Sequence, residues 1–219
     1  ARAGKDLKIT HVGARRNHAD HDYGDARVSR DVMEVARDPE VDVLVELIGG
    51  TGVAHDLIKL AIERGKHIVT ANKALIAEHG NELFALAEAA GVQLGFEASV
   101  AGGIPIIKAL RESMAANEVK QVAGIINGTG NFILTEMSSK GRAFDDVLSE
   151  AQVLGYAEAD PTFDIDGTDA AHKLVILASL AFGIPLNIDG PVKKGIDIVA
   201  PTDLDLSLIH ISEPTRPLS

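Results

Sequence analysis

Short apolar runs alternate with amphipathic stretches through the first hundred residues. LKITHVGARR (7–16) reads as a strand, VDVLVELI (41–48) as a buried strand, and AHDLIKLAIER (54–64) as an amphipathic helix closed by Gly65. HIVTA (67–71) follows as a strand, 81–90 as a helix and VQLGFEA (92–98) as a strand. Strands spaced by helices imply right-handed crossovers and a parallel sheet, so the expected fold class is α/β. After Gly102-Gly103 the rhythm changes to a helix (104–116), a strand (119–127), two helices (129–139 and 143–154), an acidic loop and a helix over 168–182. That order predicts a second, α+β domain with helices on one sheet face, and a division into residues 1–102 and 103–205.

Two stretches stand outside this pattern. The chain opens with ARAGKD, in the connection ahead of what a dinucleotide-binding sheet counts as its second strand, so the first strand and its G-x-G-x-x-G turn are expected to lie outside the sequence. Gly50-Thr51-Gly52-Val53-Ala54-His55 has the right context between strand and helix, but His55 stands where the third glycine belongs, and no acid follows about twenty residues on. At the other end LSLIHISEPTR (206–216) resembles the translation of a transposase-type sequencing adapter, so residues 206–219 are expected to be a non-native tail.

The densest chemistry lies in AQVLGYAEADPTFDIDGTDAAHK (151–173), which sets Glu158, Asp160, Asp164, Asp166 and Asp169 around a turn that feeds an almost wholly apolar helix. Lys173 sits four residues after Asp169, on the same helical face and with the acid on the favourable N-terminal side. A buried structural ion pair is the plain reading. A calcium loop does not fit, because counting from Asp164 there is no glycine at the sixth position and no glutamate at the twelfth.

These residues resemble the signature of homoserine dehydrogenase, which reduces aspartate 4-semialdehyde to homoserine with NAD(P)H. The likeness rests on Ala151, Gly155-Tyr156-Ala157, Asp160-Pro161, Asp164-Ile165, Gly167, Asp169 and Lys173. It extends through ELIGG (46–50), VTANKALIA (69–77), FEASVAGGIPII (96–107) and GIINGTGNFILTEM (124–137), covering roughly residues 7 to 200. The resemblance implies a partial Rossmann-type NAD(P)-binding domain followed by a substrate and dimerisation domain, and a homo-oligomer, dimer or tetramer. It implies Lys173 as proton donor, Glu158 and Asp169 as holders of the amino alcohol, Gly155 as a contact to substrate or cofactor, and Lys73 where nicotinamide and substrate meet. It also implies a monovalent cation, sodium, at the Glu97 carboxylate and the carbonyls of Val100, Gly102 and Ile104; the plain reading of Glu97 is a strand-end acid capped by amides. NGTGN departs from the family's NGTTN at Gly130, while Asn127, Gly128 and Thr129 remain to border the substrate pocket or a dimer sheet.

Physical chemistry supports several of these roles. A cation beside the aldehyde oxygen stabilises the developing alkoxide and can protonate it. Glu158 can meet the substrate ammonium, and Asp164 can orient Lys173 and keep it charged. Arg15 and Arg16 end the first strand read here, where arginines accommodate the 2′-phosphate of NADP and an acid would favour NAD. Gly49 and Gly50 end a strand and let backbone approach a cofactor closely.

Composition narrows the alternatives. With 46% apolar residues the chain can bury a real core, and a net charge of −11 with a pI near 5.1 argues against nucleic-acid binding. No apolar run approaches a membrane span and no signal peptide opens the chain, so the cytoplasm is expected. The absence of cysteine excludes an acylating, thioester-forming dehydrogenase and leaves direct hydride chemistry. The eight histidines show no zinc-ligand spacing, so a metalloenzyme is not expected. Two rivals remain: a non-catalytic amino-acid binder, and an oxidoreductase for another amino-acid semialdehyde.

Overall fold

The computed structural model describes residues 4, 6–16, 21–200 and 202–204; the tail expected from residue 206 lies outside them. The chain forms two compact units, one of residues 1–119 with Ile176–Asn187, the other of Lys120–Val175 with the residues from Ile188 onward. By packing, the units therefore part after Val119, and the first unit reclaims a late piece of chain.

Among its described residues unit 1 holds two parallel sheets. In one, β1 (His11–Gly13) pairs with β2 (Arg27–Ser29); in the other the order is β3 (Val43–Glu46), β4 (His67–Thr70), β5 (Leu94–Gly95). Helices α1 (Val32–Arg37), α2 (Val53–Glu63) and α3 (Lys73–Ala90) connect them, and short α4 (Ile106–Lys108) runs on into a wide π turn over Ala109–Ser113. Leu44 and Ile68 are buried on one sheet face, and Leu57, Ile58, Ala61 and Ile62 of α2 and Leu75, Ile76 and Leu83 of α3 join them in the core.

The strand over 41–48 differs from expectation, because its exposure alternates. Val43 and Val45 of β3 and Val69 of β4 point away from the buried face and are exposed, so VDVLVELI is buried on one side only among the described residues. A continuous apolar run suits a strand covered on both faces, and here one cover is present. Three elements escaped the sequence pattern for local reasons. Strand β2 and helix α1 are too short to show a period, although Asp31 caps α1 by accepting from the Met33 amide at 2.9 Å. Helix α3 begins at Lys73 rather than at 81, with Asn72 as its cap accepting from the Leu75 amide at 3.1 Å. Gly80 lies inside it, and the end of the Leu186 side chain occupies the space a Cβ there would enter.

Next to it, Asn81 clasps Leu186 in both directions: its Nδ2 donates to the Leu186 carbonyl at 2.9 Å and its Oδ1 accepts from the Leu186 amide at 3.0 Å. Asn81→Ala should lower unit 1 stability by about 1–3 kcal/mol, since two backbone groups lose their partners. Urea unfolding of the variant against the parent checks this; an unchanged midpoint would show that the clasp contributes nothing.

The regular elements of unit 2 are helices joined by long loops: α5 (Gly128–Lys140), α6 (Phe144–Val153), α7 (Thr162–Ile165) and the first half of α8 (Thr168–Phe182). Ile133, Met137, Val147, Ala151 and Ala157 form its core, and Arg142 ties Glu136 of α5 to Glu150 of α6. The strand expected over 119–127 is not formed. A strand needs a ladder partner; none of the described residues supplies one, and Ile125 is left 79% exposed.

Candidate active site

The chemistry of unit 2 is organised by one side chain, Asn127, which caps α5. Its Oδ1 accepts from the Gly130 amide at 2.6 Å, while its Nδ2 donates to Asp164 Oδ1 at 3.0 Å and to Asp169 Oδ2 at 2.8 Å. A short polar residue before a helix is the expected cap; that its free amide would gather two distant acids is a tertiary fact. Lys173, one turn after Asp169 on α8, donates to Asp169 Oδ2 at 2.7 Å and to the Ile126 carbonyl at 2.7 Å. The Thr129 hydroxyl lies 2.6 Å from the Tyr156 carbonyl and 3.3 Å from Asp164 Oδ2.

These groups line a cavity of about 560 Å³ with Gly128, Phe132, Gly155 and Tyr156, a size that suits a small metabolite. Phe132 and Tyr156 meet edge-on with ring centroids 5.1 Å apart and give it an apolar wall. Gly155 follows α6 at φ +75°, a left-handed conformation that favours glycine and turns Tyr156 back so that its amide reaches the Ala151 carbonyl at 2.8 Å.

The side chains of Lys173 and Asp169 are 18% and 5% exposed, so this ion pair is largely withdrawn from water. An ammonium carries three N–H groups; the two bonds above engage two of them, and one is left for the cavity. Of the residues expected here, Lys173, Asp169, Asp164, Thr129 and Gly155 come together. The acid on Lys173 is Asp169; Asp164 instead bonds Asn127 and Thr129. Glu158 is exposed and does not line the cavity. In the same loop, the Thr162 hydroxyl and amide hold the Asp160 carboxyl below its ordinary range.

Unit 1 carries the residues expected to bind a cofactor. Gly49 and Gly50, just past β3, have φ of +78° and +71°, and open space surrounds the position of a Cβ on each. Their loop is anchored from below. Buried Glu46 accepts from the Ile48 amide at 2.6 Å and the Gly49 amide at 3.0 Å through Oε1, and from the Thr70 hydroxyl at 2.6 Å through Oε2. Asn72 Nδ2 donates to the Gly50 carbonyl at 2.7 Å. Lys73 opens α3 just past β4, and Arg15 and Arg16 are exposed just past β1. Glu97, in a 3-10 turn, accepts from the Ile107 and Lys108 amides at 2.9 Å each, as a cap on α4, and the Ile104 carbonyl accepts from the Ile106 amide at 2.8 Å.

Two family profiles match the chain, that of homoserine dehydrogenase over residues 105–212 and that of the homoserine dehydrogenase NAD binding domain over residues 1–97. The chain belongs to the homoserine dehydrogenase family. It is 59% identical over 204 residues to the homoserine dehydrogenase of Pseudomonas aeruginosa, covering 93% of this chain and 47% of that protein. With the homoserine dehydrogenase of Neisseria gonorrhoeae it shares 61% identity over 175 residues, covering 80% and 40%. The chain thus spans less than half the length of these relatives. A homoserine dehydrogenase structure from Thiobacillus denitrificans superimposes with a TM-score of 0.90 at 52% identity, over 95% of this chain and 49% of that one. A hyperthermophilic archaeal homoserine dehydrogenase in complex with NADPH does so with a TM-score of 0.70 at 34% identity, over 78% and 53%. Among the described residues no helix is long and apolar enough to cross a membrane.

Proposed function

We propose that the protein containing this chain interconverts L-aspartate 4-semialdehyde and L-homoserine with a nicotinamide cofactor. The observation that carries this reading is the Lys173 ammonium, fixed by Asp169 and the Ile126 carbonyl, with a third N–H available to the cavity.

When bound, the cofactor supplies the hydride that goes to the aldehyde carbon. Lys173 faces the oxygen on which negative charge then develops. It stabilises that charge by a charge-assisted hydrogen bond and passes a proton to the oxygen, giving the alcohol; water then returns a proton to the lysine. Asp169 holds the ammonium in place. Asp164, kept in position by Asn127 and Thr129, is suited to the substrate's α-ammonium, and exposed Glu158, in the loop between Tyr156 and Asp164, is a second carboxylate for it. The first turn of α5 at Gly128 and Thr129 presents backbone amides suited to the α-carboxylate.

The same reading gives Gly49, Gly50 and Lys73 to the nicotinamide nucleotide and Arg15 and Arg16 to the 2′-phosphate of NADP. The open backbone of the two glycines supports it. A sodium ion at Glu97, Val100, Gly102 and Ile104 would use the lone pairs that the capping bonds leave over on the Glu97 and Ile104 oxygens. Pairing with a second copy would give the exposed segment 119–127 the ladder partner it lacks, which supports a homo-oligomer.

The test is homoserine-dependent reduction of NADP by the protein made from the whole reading frame, followed by NADPH absorbance. Turnover with homoserine, and much less with the alcohol of a longer amino-acid semialdehyde, is expected. Calorimetric binding of homoserine without turnover would replace this reading with that of a non-catalytic binder.

A further inference from the structure

Helices α2 and α3 bring together a group of side chains that the reaction does not use. His55 lies in the first turn of α2, and His79 and Glu82 lie three residues apart on one face of α3. One ligand atom from each of the three falls within 4.8 Å of the other two. His55 Nε2 is 3.0 Å from Glu82 Oε2, and the His55 and His79 rings stand 4.5 Å apart between centroids, tilted by 37°. Sequence spacing could not reveal this set, because His55 and His79 come from different helices.

We propose that His55, His79 and Glu82 bind a divalent transition-metal cation of the zinc type, which clamps α2 to α3. Two imidazoles and one carboxylate are the ligand set that borderline cations favour over magnesium or calcium, and three protein ligands leave a fourth position for water. Tetrahedral coordination at ordinary bond lengths puts ligand atoms about 3.3 Å apart. The Nε2 to Oε2 distance already meets this, and rotation of partly exposed side chains closes the remainder.

Neighbouring side chains set the orientation of the ligands. Lys59 donates to Glu82 Oε1 at 2.6 Å and leaves Oε2 toward the histidines. Asp56, whose Oδ1 is 3.7 Å from His55 Nδ1, adds a second negative charge. It sits where a ligating imidazole commonly has an outer carboxylate.

The experiment is calorimetric titration of the untagged protein with zinc, paired with the d–d spectrum of its cobalt form. About one zinc per protein chain is expected at this site, with a tetrahedral cobalt spectrum and no response to magnesium. His55→Gln and His79→Gln, each with unchanged far-ultraviolet dichroism, should each weaken zinc at least about 10-fold. Zinc should raise the unfolding midpoint of the parent and not of the variants. Absence of zinc binding, or binding of the same affinity in both variants, would overturn the proposal and leave the group as a hydrogen-bonded link between helices.

Discussion

Lys173→Met in the whole protein should lower kcat for homoserine oxidation by about 10²–10⁴-fold, with KM changed far less. Methionine keeps an apolar stem of similar length and removes the ammonium. What disappears is an interaction that strengthens as charge builds on the oxygen, so the loss falls on the transition state and not on ground-state binding. Asp169, 5% exposed, would still accept from Asn127, so the local fold should survive. Lys173→Arg is a useful companion. It keeps the charge but holds its proton too firmly to transfer it, and should recover only part of the rate. Steady-state kinetics of the two variants decide the matter, and a methionine variant within a few-fold of the parent would remove Lys173 from the chemistry.

A second large effect, on stability, is expected at Glu46, which is 1% exposed. Glu46→Ala removes the acceptor for three donors at once. The Ile48 and Gly49 amides lie in a partly exposed loop where water can replace the carboxylate, but Thr70 is fully buried and its hydroxyl loses the acceptor it has in Glu46. Adding that orphaned group to the cavity left by the side chain gives a loss of about 3–4 kcal/mol. Glu46→Gln should cost less, because one oxygen still accepts while the new NH₂ opposes a donor. Hydrogen exchange resolved by segment is the measurement: amides of β3 and β4 should lose protection in the alanine variant while those of α5 and α6 keep theirs. Equal loss in both units would mean that Glu46 supports more than its own sheet.

Much of the frame was legible because it is written in local pattern. Strands β3, β4 and β5, helix α2 with its closing Gly65, and helices α5, α6 and α8 each carry a period or a terminator that survives in the fold. The places where reading failed need information from afar. Gly80 of α3 packs against Leu186, far along the chain, and the 119–127 segment has strand composition without a strand among the described residues to pair with. Within the site, residue identities were legible and their partnerships less so. The Asp169–Lys173 pair, one turn apart on a continuous helix, is legible from spacing, whereas Asp164, which chemistry alone also offers to Lys173, bonds Asn127 and Thr129 instead. The bonds from Asn127 span 37 and 42 residues, and no spacing rule reaches that far.

The clasp between Asn81 and Leu186 closes over 105 residues, and unit 1 owns Ile176–Asn187 although Lys120–Val175 belong to unit 2. On a ribosome that delivers the chain from its amino end, unit 1 cannot be completed when residue 119 emerges. It must wait, partly assembled, until all of Lys120–Val175 has been made, so the two units mature together and not one after the other.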